Sequence, residues 1–208
     1  MQLLKLLILS ISAITLFSFN GGEISPEVMK KAERKYGGQV INRFLSYNNL
    51  LSKSKELDTR NKLKIINEFF NMIPYKSDIK NWKQNDYWAT PLEFLARYKG
   101  DSEDYVIAKY FALKTLGVDT SKLYFTYVNS KKYKRAHLVL SYFETPDSVP
   151  FILDNINKEI LSANDRSDLE PIYNFSPSAS HNEQEKNIQK NTHKKWEKLY
   201  KRVKRNKL

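Results

Sequence analysis

From residue 28 to residue 73 the apolar positions return every three or four residues, the spacing of helices with one buried face. The first run, Val28 to Tyr36, follows Ser25-Pro26-Glu27, which reads as a cap, a first-turn proline and an acidic first turn. Gly37-Gly38 breaks the chain, and Val40, Ile41, Phe44 and Leu45 open a second apolar face that runs to about Leu51. A third stretch, Asp58 to Ile73, carries Leu63, Ile65, Ile66, Phe69 and Phe70 behind the caps Asp58 and Thr59, and Pro74 stops it. Trp82, Tyr87 and Trp88 fall in the loop that follows, where packing is their expected role and substrate contact the alternative. Gly100 ends the next pattern, Asp101 is a good cap, and Val106, Ile107, Tyr110, Phe111 and Leu113 recur at roughly helical spacing up to the stop at Gly117. The expectation is a helix anchored by one face with its N-terminus accessible.

Beyond Gly117 the period falls to two. Lys122 to Val128 and Ala136 to Phe143 alternate with strand-forming residues, and Val149 to Leu153 is a short apolar run. Lys131 to Arg135 and Glu144 to Asp147 read as the intervening turns. Helices first and hairpin-connected strands afterwards predict an α+β fold, N-terminal helices packed on an antiparallel sheet.

The two chain ends differ from this middle. Lys5 and the apolar run Leu6 to Phe19 have the order of a secretory signal and are shorter than a usual membrane span, so residues 1–22 are expected to direct export. Phe17 to Gly22 has no A-x-A cleavage pattern; cleavage is favoured, and retention as an N-terminal anchor is the alternative. At the other end Ser176-Pro-Ser-Ala-Ser180 is a linker signal, and residues 177–208 are expected to be a solvated basic tail. Ile188, Trp196, Leu199 and Val203 look too sparse there for a core helix, so the segment from Ser180 is expected to be dispensable for folding. The formal charge of +12 owes much to this tail, so it does not call for nucleic acid as a partner. Attraction of the tail to an anionic lipid, a cell-wall polymer or an acidic adhesin is the functional alternative. With no cysteine, the chain has neither a disulfide framework nor a thiolate metal site.

Candidate chemistry concentrates at the start of the central helix. Asp101, Glu103 and Asp104 are hard oxygen donors within four residues, but calcium takes six to eight oxygens. By spacing alone they read as a solvated helix start that favours the dipole. Ser102 lies among them. A nucleophile at a helix N-terminus is favoured as an anion, a histidine can take and return its proton, and a carboxylate beyond fixes the imidazole tautomer.

The runs D-Y-W-A-T-P-x-E-F-L from Asp86 and G-D-S-E-D-Y-x-I-A-K-Y from Gly100 resemble the bacterial transglutaminase-like cysteine proteinases, the LapG-type periplasmic proteases. In the same order, A-H-L-V-L-S-Y from Ala136 resembles that family's histidine strand and P-F-I-L-D-N-I-N from Pro150 its aspartate strand. R-S-D-L-E-P-I-Y-N-F from Arg166 resembles its closing segment. The similarity spans roughly residues 30 to 176, and residues 23–176 are taken as the domain. It implies a papain-like, transglutaminase-like core, a catalytic trio Ser102, His137 and Asp154, and calcium at Asp101, Glu103 and Asp104.

It also implies a periplasmic protein whose relatives cut the N-terminal region of large surface adhesins in biofilm control and are checked by an inner-membrane cyclic-di-GMP receptor. The departure is Ser102, where the family has cysteine. An alcohol must lose its proton during attack in a site shaped for a thiolate, so little or no peptidase activity is expected. A degenerate relative, an enzyme adapted to serine and an inactivating mutation are the alternatives; the retained export signal favours a natural substitution. A non-catalytic protein that binds the adhesin or the receptor is the competing function.

Overall fold

The computed structural model describes residues 22–178 and 187–208. Residues 1–21 of the expected export signal, and residues 179–186, which include the end of the expected linker, lie outside them. Among the described residues no helix is long and apolar enough to cross a membrane.

Three helices come first, each with the boundary chemistry its sequence carries. α1 (Pro26–Tyr36) starts where Ser25 Oγ accepts the Val28 N–H at 3.4 Å and ends at Gly37, whose φ of +83° is costly for other residues. α2 (Gln39–Ser54) buries Val40, Phe44, Tyr47 and Leu51, an i, i+4, i+7, i+11 stripe. Leu45, expected on that stripe, is 51% exposed, because it lies one residue round the helix from Phe44. α3 (Thr59–Phe70) is capped by Asp58, which accepts the Asn61 N–H at 2.8 Å, and buries Leu63, Ile66 and Phe70. It ends short of Pro74.

Two short helices, α4 (Asp78–Asn81) and α5 (Pro91–Arg97), fill the aromatic loop. In α5, Thr90 Oγ1 accepts the Glu93 N–H at 3.1 Å while Glu93 Oε2 accepts the Thr90 N–H at 2.8 Å. Trp88 is buried in the core near Phe125, and Trp82 packs on Tyr87 with 4.5 Å between ring centroids, so these aromatics are packing elements.

α6 (Ser102–Thr115) is the centre of the molecule, and its burial corrects the one-face expectation: every residue from Asp104 to Leu113 is buried. Helices α3 and α5 and the sheet pack around it. The helix closes at Gly117, where φ is +79° and the N–H reaches the Lys114 carbonyl at 3.0 Å.

The strands are β1 (Leu123–Ser130), β2 (Arg135–Tyr142), β3 (Phe151–Leu153), β4 (Leu161–Ser162) and β5 (Leu169–Phe175). They form one antiparallel sheet in the order β4-β3-β2-β1-β5. The chain is therefore α+β, as its pattern predicts.

The last helix corrects the expectation of a solvated tail. α7 (Asn187–Lys204) lays Trp196, Leu199 and Val203 into the core, and Leu208 follows them. Positions 196, 199 and 203 share one helical face, so three apolar residues suffice to seat a helix whose other faces are basic. Trp196 sits among Tyr110, Phe111 and Phe125 at centroid distances of 5.4, 5.6 and 5.4 Å, and Tyr200 stacks on Phe111 at 6.2 Å.

Candidate active site

His137 lies near the start of β2, opposite Val128 of β1, and is buried. Asp154 is the first residue after β3, whose register sets Leu153 against Leu140 of β2. That pairing brings the carboxylate to the imidazole: His137 Nε2 and Asp154 Oδ1 are 2.7 Å apart. The same oxygen accepts the Ile156 N–H at 3.0 Å, which fixes the turn after β3. Arg166, also buried, donates to Asp154 Oδ2 at 2.8 Å and grips Asp168 through Nε and Nη2. Burial opposes the Asp154 charge, but His137, the Ile156 N–H and Arg166 outweigh it and hold the carboxyl well below the usual range. Asp154 thus stays ionised and His137 is held with its N–H on Nε2, leaving Nδ1 as the basic nitrogen.

Behind the pair lies a polar floor that sequence reading missed. The Asp154 carbonyl accepts from Asn71 Nδ2 at 2.7 Å and from Lys109 Nζ at 3.2 Å, and Lys109 also donates to Asn67 Oδ1 at 2.8 Å. Lys109 is completely buried in the middle of α6, and burial lowers its ammonium to about 7, with the Asp154 charge opposing. A lysine among apolar residues at i+1 to i+4 was the available signal.

Ser102 is the first residue of α6, half-buried beside Glu103. Its hydroxyl donates to Glu103 Oε2 at 2.7 Å, and among the described residues no hydrogen bond joins it to His137. The structure joins two members of the expected trio and leaves the third on its own helix end. Gly100 is required here by close approach, since a Cβ would lie 2.4 Å from Asp104 Oδ2 and 2.7 Å from the Phe94 ring.

The carboxylates are regrouped by the fold. Asp78 of α4, which no local pattern marks, joins Asp101 and Asp104, with one oxygen from each within 4.8 Å of the others. Glu103, also expected as a ligand, lies outside that set of three, and its carboxylate accepts from the Ser102 hydroxyl. Two of the three side chains also brace the loop above them. Asp78 accepts the Tyr87 N–H, and Asp104 accepts those of Ala89 at 2.8 Å and Asp101 at 3.4 Å.

Burial and mutual repulsion act together on this cluster. Asp101 is pushed up to about 10 by burial, then by Glu103, Asp104 and Asp78; Asp78 rises to about 6, chiefly by burial, and Asp104 rises well above its ordinary value for the same first reason. Asp78 Oδ1 and Asp101 Oδ1 are buried and have no hydrogen-bond partner. Converging hard oxygens, two of them without a hydrogen-bond donor, fit an oxygen-preferring divalent cation, which would coordinate them and lower all three pKa values.

The profile of a family described as "Bacterial transglutaminase-like cysteine proteinase BTLCP" matches residues 47–195. Among solved structures the chain is similar to Legionella pneumophila LapG, with 36% identity over 85% of this chain and 96% of that one and a TM-score of 0.72. It is also similar to an EGTA-treated form of the same protein at 35% identity, 85% and 96% coverage and a TM-score of 0.71. The calcium-bound form gives 35% identity, 86% and 99% coverage and a TM-score of 0.70. The search of curated proteins gave no match. With a profile match over most of the domain, the histidine and aspartate paired across its sheet and serine in place of the cysteine, this chain belongs to the bacterial transglutaminase-like cysteine proteinase family.

Proposed function

We propose that this protein is a LapG-type protein of the periplasm, exported by residues 1–22, that engages the N-terminal region of a large surface adhesin. The serine form has little or no peptidase activity, and an inner-membrane cyclic-di-GMP receptor is its regulatory partner. The observation that carries this reading is the 2.7 Å contact between His137 and Asp154, a carboxylate that Arg166 helps to hold ionised, beside a helix whose first residue is Ser102.

The chemistry follows from which ring nitrogen is free. With Nε2 donating to Asp154, Nδ1 takes the proton from the group at position 102 as that group attacks a peptide carbonyl carbon. The proton then goes to the departing amine, and water hydrolyses the acyl bond with His137 again as base. A thiol enters this sequence readily as thiolate, favoured by the positive end of α6; an alcohol hydrogen-bonded to Glu103 does not. Asp78, Asp101 and Asp104 would hold calcium, which would supply the positive charge that permits three ionised carboxylates at this helix end.

The test is to incubate the protein and its Ser102→Cys variant, each with calcium, with the N-terminal region of a candidate adhesin. A discrete product from the cysteine form and little or none from the serine form is expected. Cleavage by the serine form that vanishes in Ser102→Ala would make it a working serine peptidase and refute the inactive assignment. The second reading, a non-catalytic adhesin- or receptor-binding protein, is favoured by the Ser102 hydroxyl facing Glu103. It gains if neither form cleaves an adhesin region to which both bind.

A further inference from the structure

The turn between β1 and β2 carries a dense positive charge beside the helix end just described. Lys131, Lys132, Tyr133, Lys134 and Arg135 are all exposed. Among the described residues no carboxylate forms an ion pair with any of the four cations. Asp168, whose carbonyl accepts the Lys131 N–H at 2.9 Å, has its carboxylate taken by Arg166. Four like charges in five residues repel one another, a cost that a polyanionic partner relieves.

The position of the turn is what distinguishes it from an ordinary solvated loop. Arg135 opens β2 and, two residues from His137, shares its face of the strand. Its guanidinium lies 5.6 Å from the ring centroids of both Tyr75 and Tyr133, which are 45% and 44% exposed. Tyr75 is tied to the start of α6 by its bridge to Gly100, with the Lys76 N–H on the Gly100 carbonyl at 2.7 Å. Its hydroxyl is raised first by burial, while Arg135 acts on it in one sense and Asp101 and Glu103 in the other. A surface therefore runs from the Ser102 end of α6, over Tyr75 and Arg135, to the lysines of the turn.

We propose that this surface, made of Tyr75, Tyr133, Arg135 and the β1–β2 turn, docks an acidic stretch of extended polypeptide beside the position attacked by residue 102. The inference rests on the reading that polypeptide is bound at this helix end, and it adds the chemistry of what flanks the scissile bond. The tyrosines supply flat amphipathic faces and the four cations supply the sign. Such binding is electrostatic in large part and weakens as salt rises.

The experiment reads binding rather than cleavage and uses the full serine-containing chain. A short labelled peptide rich in Asp and Glu is compared, by fluorescence anisotropy, with its Asn and Gln isostere at about 50 and about 300 mM salt. The acidic peptide is expected to bind at least about tenfold more tightly at low salt, with the gap narrowing at high salt. Charge reversal at the turn, Lys131→Glu with Lys132→Glu and Lys134→Glu, is expected to remove that preference. The same change of net charge on the exposed face of α7, Lys194→Glu with Lys198→Glu and Lys201→Glu, is expected to cost less than about threefold. Equal binding of the two peptides, or equal losses from the two triple variants, would overturn the proposal. The milder Lys→Gln triple at the turn carries the same test if charge reversal disturbs the melt. An inactive Ser102→Cys form would not affect any of these readings, so the two conclusions fail separately.

Discussion

Lys109 shows how much one residue in α6 depends on what the fold puts around it. An ammonium with no exposure, facing Asn67 and the Asp154 carbonyl, sits at about 7, where a free lysine is near about 10.4. The folded value is the lower one, so between about pH 7 and pH 10 the unfolded chain binds the proton that the folded chain has lost. Stability from this residue therefore rises as pH climbs through that window. Lys109→Met removes the slope: the difference in unfolding free energy between the two proteins, read from urea melts at several pH values, should change in favour of wild type toward pH 10. A difference independent of pH would show that the ammonium keeps its ordinary value. Asp154 is the second residue-scale case. In the Ser102→Cys form, Asp154→Asn should lower kcat about a hundredfold or more while leaving peptide binding in place, because it loses the partner that fixes the His137 tautomer.

Among the elements, α7 has the consequence least expected from its composition. Besides seating Trp196, it straps the loop that roofs the carboxylate cluster. Arg202 donates to the Trp88 carbonyl at 2.8 Å and the Tyr87 hydroxyl at 2.6 Å and pairs with Glu93; Lys195 pairs with Asp86, and Thr90 Oγ1 donates to the Lys207 carbonyl at 3.0 Å. The N–H groups of Tyr87 and Ala89 on the same loop rest on Asp78 and Asp104. Trp196→Ala should cost about 3 to 5 kcal/mol by emptying a large aromatic site, seen as a lower midpoint in a denaturant melt. Arg202→Ala should cost about 2 kcal/mol, since Glu93 is left nearly buried without its cation. It should also weaken cation binding measured by calorimetry, while Arg202→Lys recovers part of the loss. Unchanged affinity in a folded Arg202→Ala protein would separate the strap from the cluster.

For the whole molecule, cation binding at the three-carboxylate cluster is expected to be coupled to folding. Asp78, Asp101 and Asp104 come from two helices separated in sequence, so the site exists only when α4 is packed against the start of α6. Calcium at about a hundred times its dissociation constant should add about 2.7 kcal/mol to stability, with a corresponding rise in Tm that a chelator reverses. Asp78→Asn should abolish most of that rise, and Glu103→Gln should affect it much less. Equal melts with calcium and with chelator would remove the cation from this account.

The sequence by itself determined the elements whose signals are local. The caps Ser25 and Asp58, the stops at Gly37 and Gly117, the change of period beyond Gly117 and the ordered motifs around Ser102, His137 and Asp154 are each readable from a few neighbouring residues, because backbone chemistry and alternation act over that range. Tertiary structure decided what depends on residues far apart in the chain. It brought Asp78 to Asp101 and Asp104 and left Glu103 to Ser102, surrounded α6 on every side, placed Lys109 behind Asp154, and turned a sparse basic tail into a docked helix. The physical reason is common to all four: burial and electrostatic environment are set by which surfaces meet, and a helix with three apolar residues on one face is solvated or buried according to whether another element presents a matching face.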